Sequence, residues 1–124
     1  MYVVTGGAGF IGSNVVAAIE ERGLGPVAVC DRLGTGEKWR NIAKRDLFDV
    51  VAPERLFEFL DAHGAKVKAV IHMGAVSATT AVDADLAVKT NFGFSLDLWR
   101  WCAAEKVPLI YASSAATYGA GDDA

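Results

Sequence analysis

Apolar and polar positions along the chain alternate between two periods. Tyr2 to Thr5 is a short apolar run of the kind a buried strand makes. From Phe10 to Arg22 the period lengthens, and Ile11, Val15, Ala18 and Ile19 fall on one helical face. Gly23, Gly25 and Pro26 then stop that helix. Val27 to Asp31 predicts a second strand. Leu33 to Trp39 reads as a polar, glycine-bearing loop, and Asn41 to Leu47 as a short third strand. Pro53 opens a helix that runs to about His63, with Leu56, Phe59 and Leu60 as its stripe, and Gly64 ends it. Ala69 to Met73 predicts a fourth strand. Gly74 to Ala81 is a loop, Ala84 to about Glu105 a long helix, and Pro108 to Ser113 a fifth strand.

Strands alternating with helices imply right-handed crossovers and a parallel sheet covered on both faces. The long helix carries two apolar stripes. Val88, Phe92, Ser95, Trp99 and Cys102 form one; Phe94, Leu98 and Trp101 form the other. One must cover the sheet. The reading expects the Phe94 and Trp101 side to be free for association, or else buried under a neighbouring crossover helix.

Composition narrows the function classes. With 124 residues, 52% of them hydrophobic, the chain is one domain with enough apolar surface for a core. A net charge of −3 with no like-charge run argues against a nucleic-acid or membrane-surface binder. Cys30 and Cys102 sit in apolar surroundings and read as reduced core residues. No run approaches the length of a membrane span, and the amino terminus has no signal-peptide pattern, so a cytoplasmic protein is expected.

The sharpest local signal is TGGAGFIG, Thr5 to Gly12, which follows a strand and opens a helix. Its glycines fit both G-x-G-x-x-G and G-x-x-G-x-x-G. One makes a tight turn, one lets backbone approach a pyrophosphate, and Gly12 lets helix and strand pack closely. The helix amino terminus then offers free N–H groups and a partial positive charge to phosphates. Asp31 ends the second strand 19 residues after Gly12, placed to accept from a ribose hydroxyl. Arg32 and Lys38 follow it, either to meet a 2′-phosphate or as solvated loop cations. His72 at the end of strand four has no titratable partner in sight and reads as a packed histidine rather than a base. Ser113, Ser114, Thr117 and Tyr118 follow strand five as hydroxyls that bind a substrate oxygen or cap a turn. No Ser–His–Asp set or metal-ligand cluster can be assembled.

TGGAGFIG, Asp31, IHMGA and YASSAATYG stand in the order and spacing of the extended short-chain dehydrogenase/reductase family, and the chain resembles its NAD(P)-dependent sugar-nucleotide epimerases and dehydratases. Within that family, GGAGFIGSN, HMGAVSATT and YASSAATYG are most similar to the versions found in heptose-nucleotide epimerases.

The resemblance implies an α/β Rossmann-type three-layer sandwich with parallel strand order 3-2-1-4-5. It implies NADP, with NAD as the alternative, and a nucleotide-sugar substrate, an ADP-heptose, in lipopolysaccharide core synthesis. The implied cofactor contacts are Gly6, Gly9, Phe10, Ile11 and Gly12 at the glycine turn, Asp31, Arg32 and Lys38 at the ribose, and Asp46 and Leu47 at the adenine. Met73, Gly74, Ala75, Val76 and Ser77, with Thr90 and Asn91, fall on the diphosphate and nicotinamide side. Ser114 is implied as the active-site hydroxyl, and a homo-oligomer is expected.

The family's Tyr-x-x-x-Lys is missing: Tyr2, Tyr111 and Tyr118 lack a Lys at the fourth following position. These 124 residues are therefore expected to be the N-terminal, cofactor-binding part of a longer enzyme, its substrate domain lying elsewhere, and to be inactive alone. A related epimerase or dehydratase, or a non-catalytic NAD(P)-binding module, stays open as the alternative.

Overall fold

The amino-terminal strand β1 (Tyr2–Thr5) lies at the centre of a five-stranded parallel sheet. The structure, a computed structural model, describes residues 1–34, 36–73 and 81–111, of which 81–91 are described as helical backbone. β1 pairs on one side with β2 (Val27–Cys30) and on the other with β4 (Ala69–His72). β3 (Asp49–Val51) and β5 (Leu109–Tyr111) complete the order 3-2-1-4-5. That is the order the resemblance implies. The crossovers are α1 (Phe10–Glu21), α2 (Leu56–His63) and α3 (Ala81–Glu105).

Alternation along the central strand sorts side chains between two cores. Val3 enters one with Ala28, Cys30, Val70, Leu56, Leu60 and Leu98, on the α2 and α3 face. Val4 enters the other with Val29, Val16, Ile19 and Ile42, on the α1 face. All four β2 residues are buried, as expected when helices cover both faces of a parallel sheet.

Three expectations need correction. The third strand is not Asn41–Leu47. That stretch makes turns, beginning with a 3₁₀ helix at Lys38–Asn41, with Ile42 as its buried anchor, and the strand is the later Asp49–Val51. The β-branched pair Val50 and Val51 suits a strand, whereas the polar AKRD segment has little to bury.

On α1 the inward face is Gly12, Val16 and Ile19, one residue round from the expected stripe; Ile11 and Ala18 are exposed and Val15 is half-buried. The helix starts on top of the Gly6–Gly7 backbone, so its first inward residue must be the glycine. A Schellman motif ends α1. Leu24 N–H bonds to Ile19 O at 3.2 Å and Gly23 N–H to Glu20 O at 3.0 Å, with Gly23 at φ +62°.

The third correction concerns α3, which starts at Ala81, three residues before the expected Ala84. Its described buried side is one band, not one of two opposed stripes. Leu98 and Cys102 are buried, Phe94, Ser95 and Trp101 are half-buried, and Phe92 and Trp99 are exposed. At about 100° per residue the first five fall within about 120° of arc centred near Leu98, with Phe92 and Trp99 just beyond it. The Phe94 and Trp101 side is therefore covered. The Phe94 ring packs tilted against Phe57, centroids 5.7 Å apart, and Trp101 Nε1 donates to Asp61 at 3.1 Å, both partners on α2. The alternative of burial under a crossover helix is the one realised.

Candidate functional site

The carboxyl ends of β1, β2 and β4 meet at one edge of the sheet, and the glycine turn rises from it. Gly6 takes φ +68°, a left-handed conformation that favours glycine. A Cβ on Gly12 would lie 2.0 Å from Gly6 O, so only hydrogen fits where α1 crosses the turn. Gly9 caps α1 without a side-chain bond, and no acidic residue sits in the first turn. The first amides of α1 therefore stay available beside a positive helix end, which is an anion site in form. Phe10 and Ile11 stand exposed at this end.

Asp31 leaves β2 directly beside the turn, with its side chain only 9% exposed. Its Oδ2 accepts from Ala8 N–H at 2.9 Å. Its Oδ1 accepts from Arg32 N–H and from the Lys38 ammonium, both at 2.7 Å. A carboxylate oxygen takes about two hydrogen bonds, so Oδ2 keeps one acceptor position for an incoming hydroxyl. Asn41 Nδ2 donates to Ala8 O at 2.7 Å and pins the 3₁₀ helix to the same turn. Lys38 and Asn41 thus fold the β2–β3 connection back over the glycine turn. Arg32 points elsewhere, its guanidinium 2.6 Å from Glu54, both side chains more than half exposed. The Glu54 carboxyl lies below its usual range, through its own backbone amide first and Arg32 second. Beneath Asp31, Cys30 is buried, and desolvation with the charges of Asp31 and Glu54 pushes its thiol up to about 12. Burial likewise raises the thiol of Cys102. Both are inert thiols rather than nucleophiles.

At the end of β4, His72 is 3% exposed and fully engaged. Nδ1 lies 2.6 Å from Thr5 Oγ1 and Nε2 lies 2.8 Å from Ser95 Oγ. Burial holds its pKa below the ordinary imidazole value. The expectation of a packed histidine is met, and the chain of hydroxyls around it was not legible beforehand. Met73 begins the next segment, its N–H shared between Thr5 O at 3.1 Å and Thr5 Oγ1 at 3.0 Å.

The site therefore gathers Gly6, Gly9, Phe10, Ile11, Gly12, Asp31, Lys38 and Met73. It does not gather Asp46 and Leu47. They precede β3 and line a cavity with Gly23, Gly25 and Pro26, beside the amino ends of the strands. The adenine contact at these two residues was what the resemblance implied, and here they stand at the opposite edge from the glycine turn. The segment leaving β3 toward the site edge is Ala52, Pro53 and Glu54. Sequence reasoning also missed Asn41, whose side-chain amide nothing local distinguishes from a solvated one. Thr90 and Asn91 lie on α3, their side chains outside the described residues, as are Gly74, Ala75, Val76, Ser77 and Ser114. Among the described residues no group of acids, histidines and cysteines forms a metal centre, and no helix is long and apolar enough to cross a membrane.

Comparison with known proteins agrees with this geometry. The model of the NAD dependent epimerase/dehydratase family matches residues 2–124. An ADP-L-glycero-D-manno-heptose-6-epimerase of Fusobacterium nucleatum is 46% identical over 124 residues, covering 98% of this chain and 37% of the relative. Among solved structures, the Helicobacter pylori ADP-L-glycero-D-manno-heptose-6-epimerase superposes with TM-score 0.78 at 30% identity, over 95% of this chain and 40% of that one. A short-chain dehydrogenase/reductase superfamily protein from Agrobacterium tumefaciens with bound NAD superposes with TM-score 0.70 at 28% identity, over 92% of this chain and 32% of that one. The chain thus spans well under half the length of each.

Proposed function

Because this chain belongs to the NAD dependent epimerase/dehydratase family, we propose that it forms the N-terminal, dinucleotide-binding part of an NADP-dependent epimerase acting on an ADP-heptose. The observation that carries this reading is the junction of the glycine turn, the uncapped start of α1 and Asp31 at one sheet edge. The α1 amides at Phe10 and Ile11 take the diphosphate. Gly6 and Gly12 keep the backbone low enough for it to approach. The remaining acceptor position on Asp31 Oδ2 takes a ribose hydroxyl. Lys38 offsets the Asp31 charge and faces a 2′-phosphate, which would otherwise be repelled.

Met73 to Ser77, with Thr90 and Asn91, serve the nicotinamide side, and Ser114 holds the sugar oxygen that becomes a carbonyl. Bound there, a nicotinamide supplies reversible hydride transfer, so the sugar centre can be inverted without net redox change. The residues of this chain orient and hold; no nucleophile–base pair stands among the described ones. The Tyr-x-x-x-Lys that moves the proton in this family is not within these 124 residues. Alone, they should bind dinucleotide and turn over no ADP-heptose. A working homo-oligomer and a lipopolysaccharide-core role belong to the same reading, which the heptose-epimerase relatives support.

The test is titration of NADPH and NADH into the purified chain, followed by nicotinamide fluorescence, beside turnover of ADP-heptose by the protein carrying the Tyr-Lys segment. Saturable binding, tighter for NADPH, is the expected result. Failure of both dinucleotides overturns the reading. Turnover of a UDP-sugar and not of ADP-heptose overturns the substrate.

A further inference from the structure

The 3₁₀ helix Lys38–Asn41 lies in the connection between β2 and β3, outside the sheet. Such a helix repeats every three residues, so Lys38 and Asn41 stand one above the other on the same face. That face meets the glycine turn at Ala8, which is fully buried. Asn41 Nδ2 donates to the Ala8 carbonyl at 2.7 Å. The Ala8 N–H goes to Asp31 Oδ2, and the other oxygen of that carboxylate holds the Lys38 ammonium. The contacts close a ring that runs from Ala8 through Asp31, Lys38 and Asn41 back to Ala8.

The two sides of the ring are held unequally. The turn has supports of its own: Gly6 N–H bonds to Cys30 O at 2.8 Å, Gly9 N–H to Gly6 O at 3.0 Å, and Ala8 N–H to Asp31. The helix has fewer. Its backbone bonds, Arg40 N–H to Glu37 O at 2.9 Å and Ile42 N–H to Trp39 O at 3.2 Å, stay within the segment, as do the contacts of the Arg40 side chain with Glu37 and Trp39. Among the described residues, only Lys38 and Asn41 hydrogen-bond this helix to the rest of the fold, and Ile42 just beyond it is the buried apolar anchor. Lys38 is a poor tether, because its flexible four-carbon stem lets the ammonium hold Asp31 while the backbone beneath it moves. The short Asn41 side chain cannot do so. Loss of its bond therefore falls on the helix and not on the turn.

We propose that Asn41 is a positioning residue for coenzyme choice: by tying the 3₁₀ helix to the Ala8 carbonyl it holds the Lys38 ammonium at Asp31, where a ribose 2′-phosphate would meet it. Preference for a 2′-phosphorylated dinucleotide is then set partly by a neutral side chain that acts through Lys38. The effect on binding rests on the cofactor reading above; the anchoring of the helix does not.

The experiment compares Asn41→Ala, Lys38→Ala and the double variant in the full chain. It combines NADPH and NADH titrations with amide hydrogen exchange on the unliganded protein. Asn41→Ala should weaken NADPH binding about fivefold, one hydrogen bond's worth, and NADH binding by less than about twofold. Exchange at Ile42 should quicken by a similar factor, while the Ala8 amide, held by Asp31, keeps its rate. Added to Lys38→Ala, the Asn41→Ala change should cost NADPH almost nothing more, because the charge it positions is already gone. Equal losses for both dinucleotides in Asn41→Ala overturn the proposal, since they would mean a disturbed glycine turn. So does a full further loss in the double variant, or unchanged exchange at Ile42. If the unmodified chain binds neither dinucleotide, the cofactor reading falls and the coenzyme preference with it, and exchange at Ile42 alone judges the anchor.

Discussion

Replacing Lys38 with alanine should separate the two dinucleotides. The Lys38 ammonium lies 2.7 Å from Asp31 Oδ1, and its side chain is 40% exposed. A ribose 2′-phosphate beside Asp31 would come within about 5 Å of it. At that separation, with an effective dielectric constant of about 60 for a half-exposed group, a unit pair is worth about 1.1 kcal/mol. A phosphate carrying about −1.5 charges raises this to about 1.7 kcal/mol, or about twentyfold in affinity. Removal also leaves the Asp31 carboxylate uncompensated, which adds repulsion in the same direction. NAD carries a neutral hydroxyl there, so its affinity should hold within about twofold, the freed Asp31 oxygen accepting from the sugar. Arg32→Ala is the control. Its guanidinium is held by Glu54 at 2.6 Å, so discrimination should change by less than about threefold. Fluorescence titrations of NADPH and NADH, repeated at about 1 M salt where the Debye length shrinks to about 3 Å, give the readout. Equal losses for both cofactors in Lys38→Ala, or a gap that salt leaves untouched, would refute the electrostatic argument.

Three further outcomes follow from the packing. Gly12→Ala should cost more than about 2 kcal/mol in urea unfolding and abolish dinucleotide binding, because the new Cβ meets backbone that cannot yield; Gly36→Ala, with open space around it, should stay within about 0.5 kcal/mol. Leu98→Ala should lose about 2–5 kcal/mol, whereas Phe92→Ser with Trp99→Ser should leave stability within about 1 kcal/mol, since Leu98 is buried and the other two are exposed. His72 should make the fold acid-sensitive. Its native pKa lies below 6.5, so the unfolded chain binds more protons, and stability falls as pH drops from about 6.5 toward the native value, then levels. Among the described residues the groups facing it are Thr5, Phe94, Ser95 and Tyr111, and burial lowers its pKa. Urea midpoints at pH 7.5 and 5 should therefore diverge more for the wild type than for His72→Gln.

Much of this protein is written locally. The strand–glycine–helix junction depends on neighbours within a dozen residues, so TGGAGFIG and Asp31 were legible as parts of one candidate site, and the structure brings them together. The strand order was likewise readable through resemblance. What the chain alone could not decide was which side of an element meets the core. The α1 face is turned by the close approach of Gly12 to Gly6, and the α3 band is chosen by where α2 lies; both depend on residues far away in sequence. β3 was misplaced because a three-residue strand carries almost no period. Hydrogen-bond partners were the least legible of all. Thr5 and His72 lie 67 residues apart, as His72 and Ser95 lie 23 apart, and only the pairing of β1 with β4 and the return of α3 put them in reach. Periodicity fixes what a segment becomes. Which polar atoms it must satisfy is set by whichever elements close over it, and that is a property of the assembled sheet.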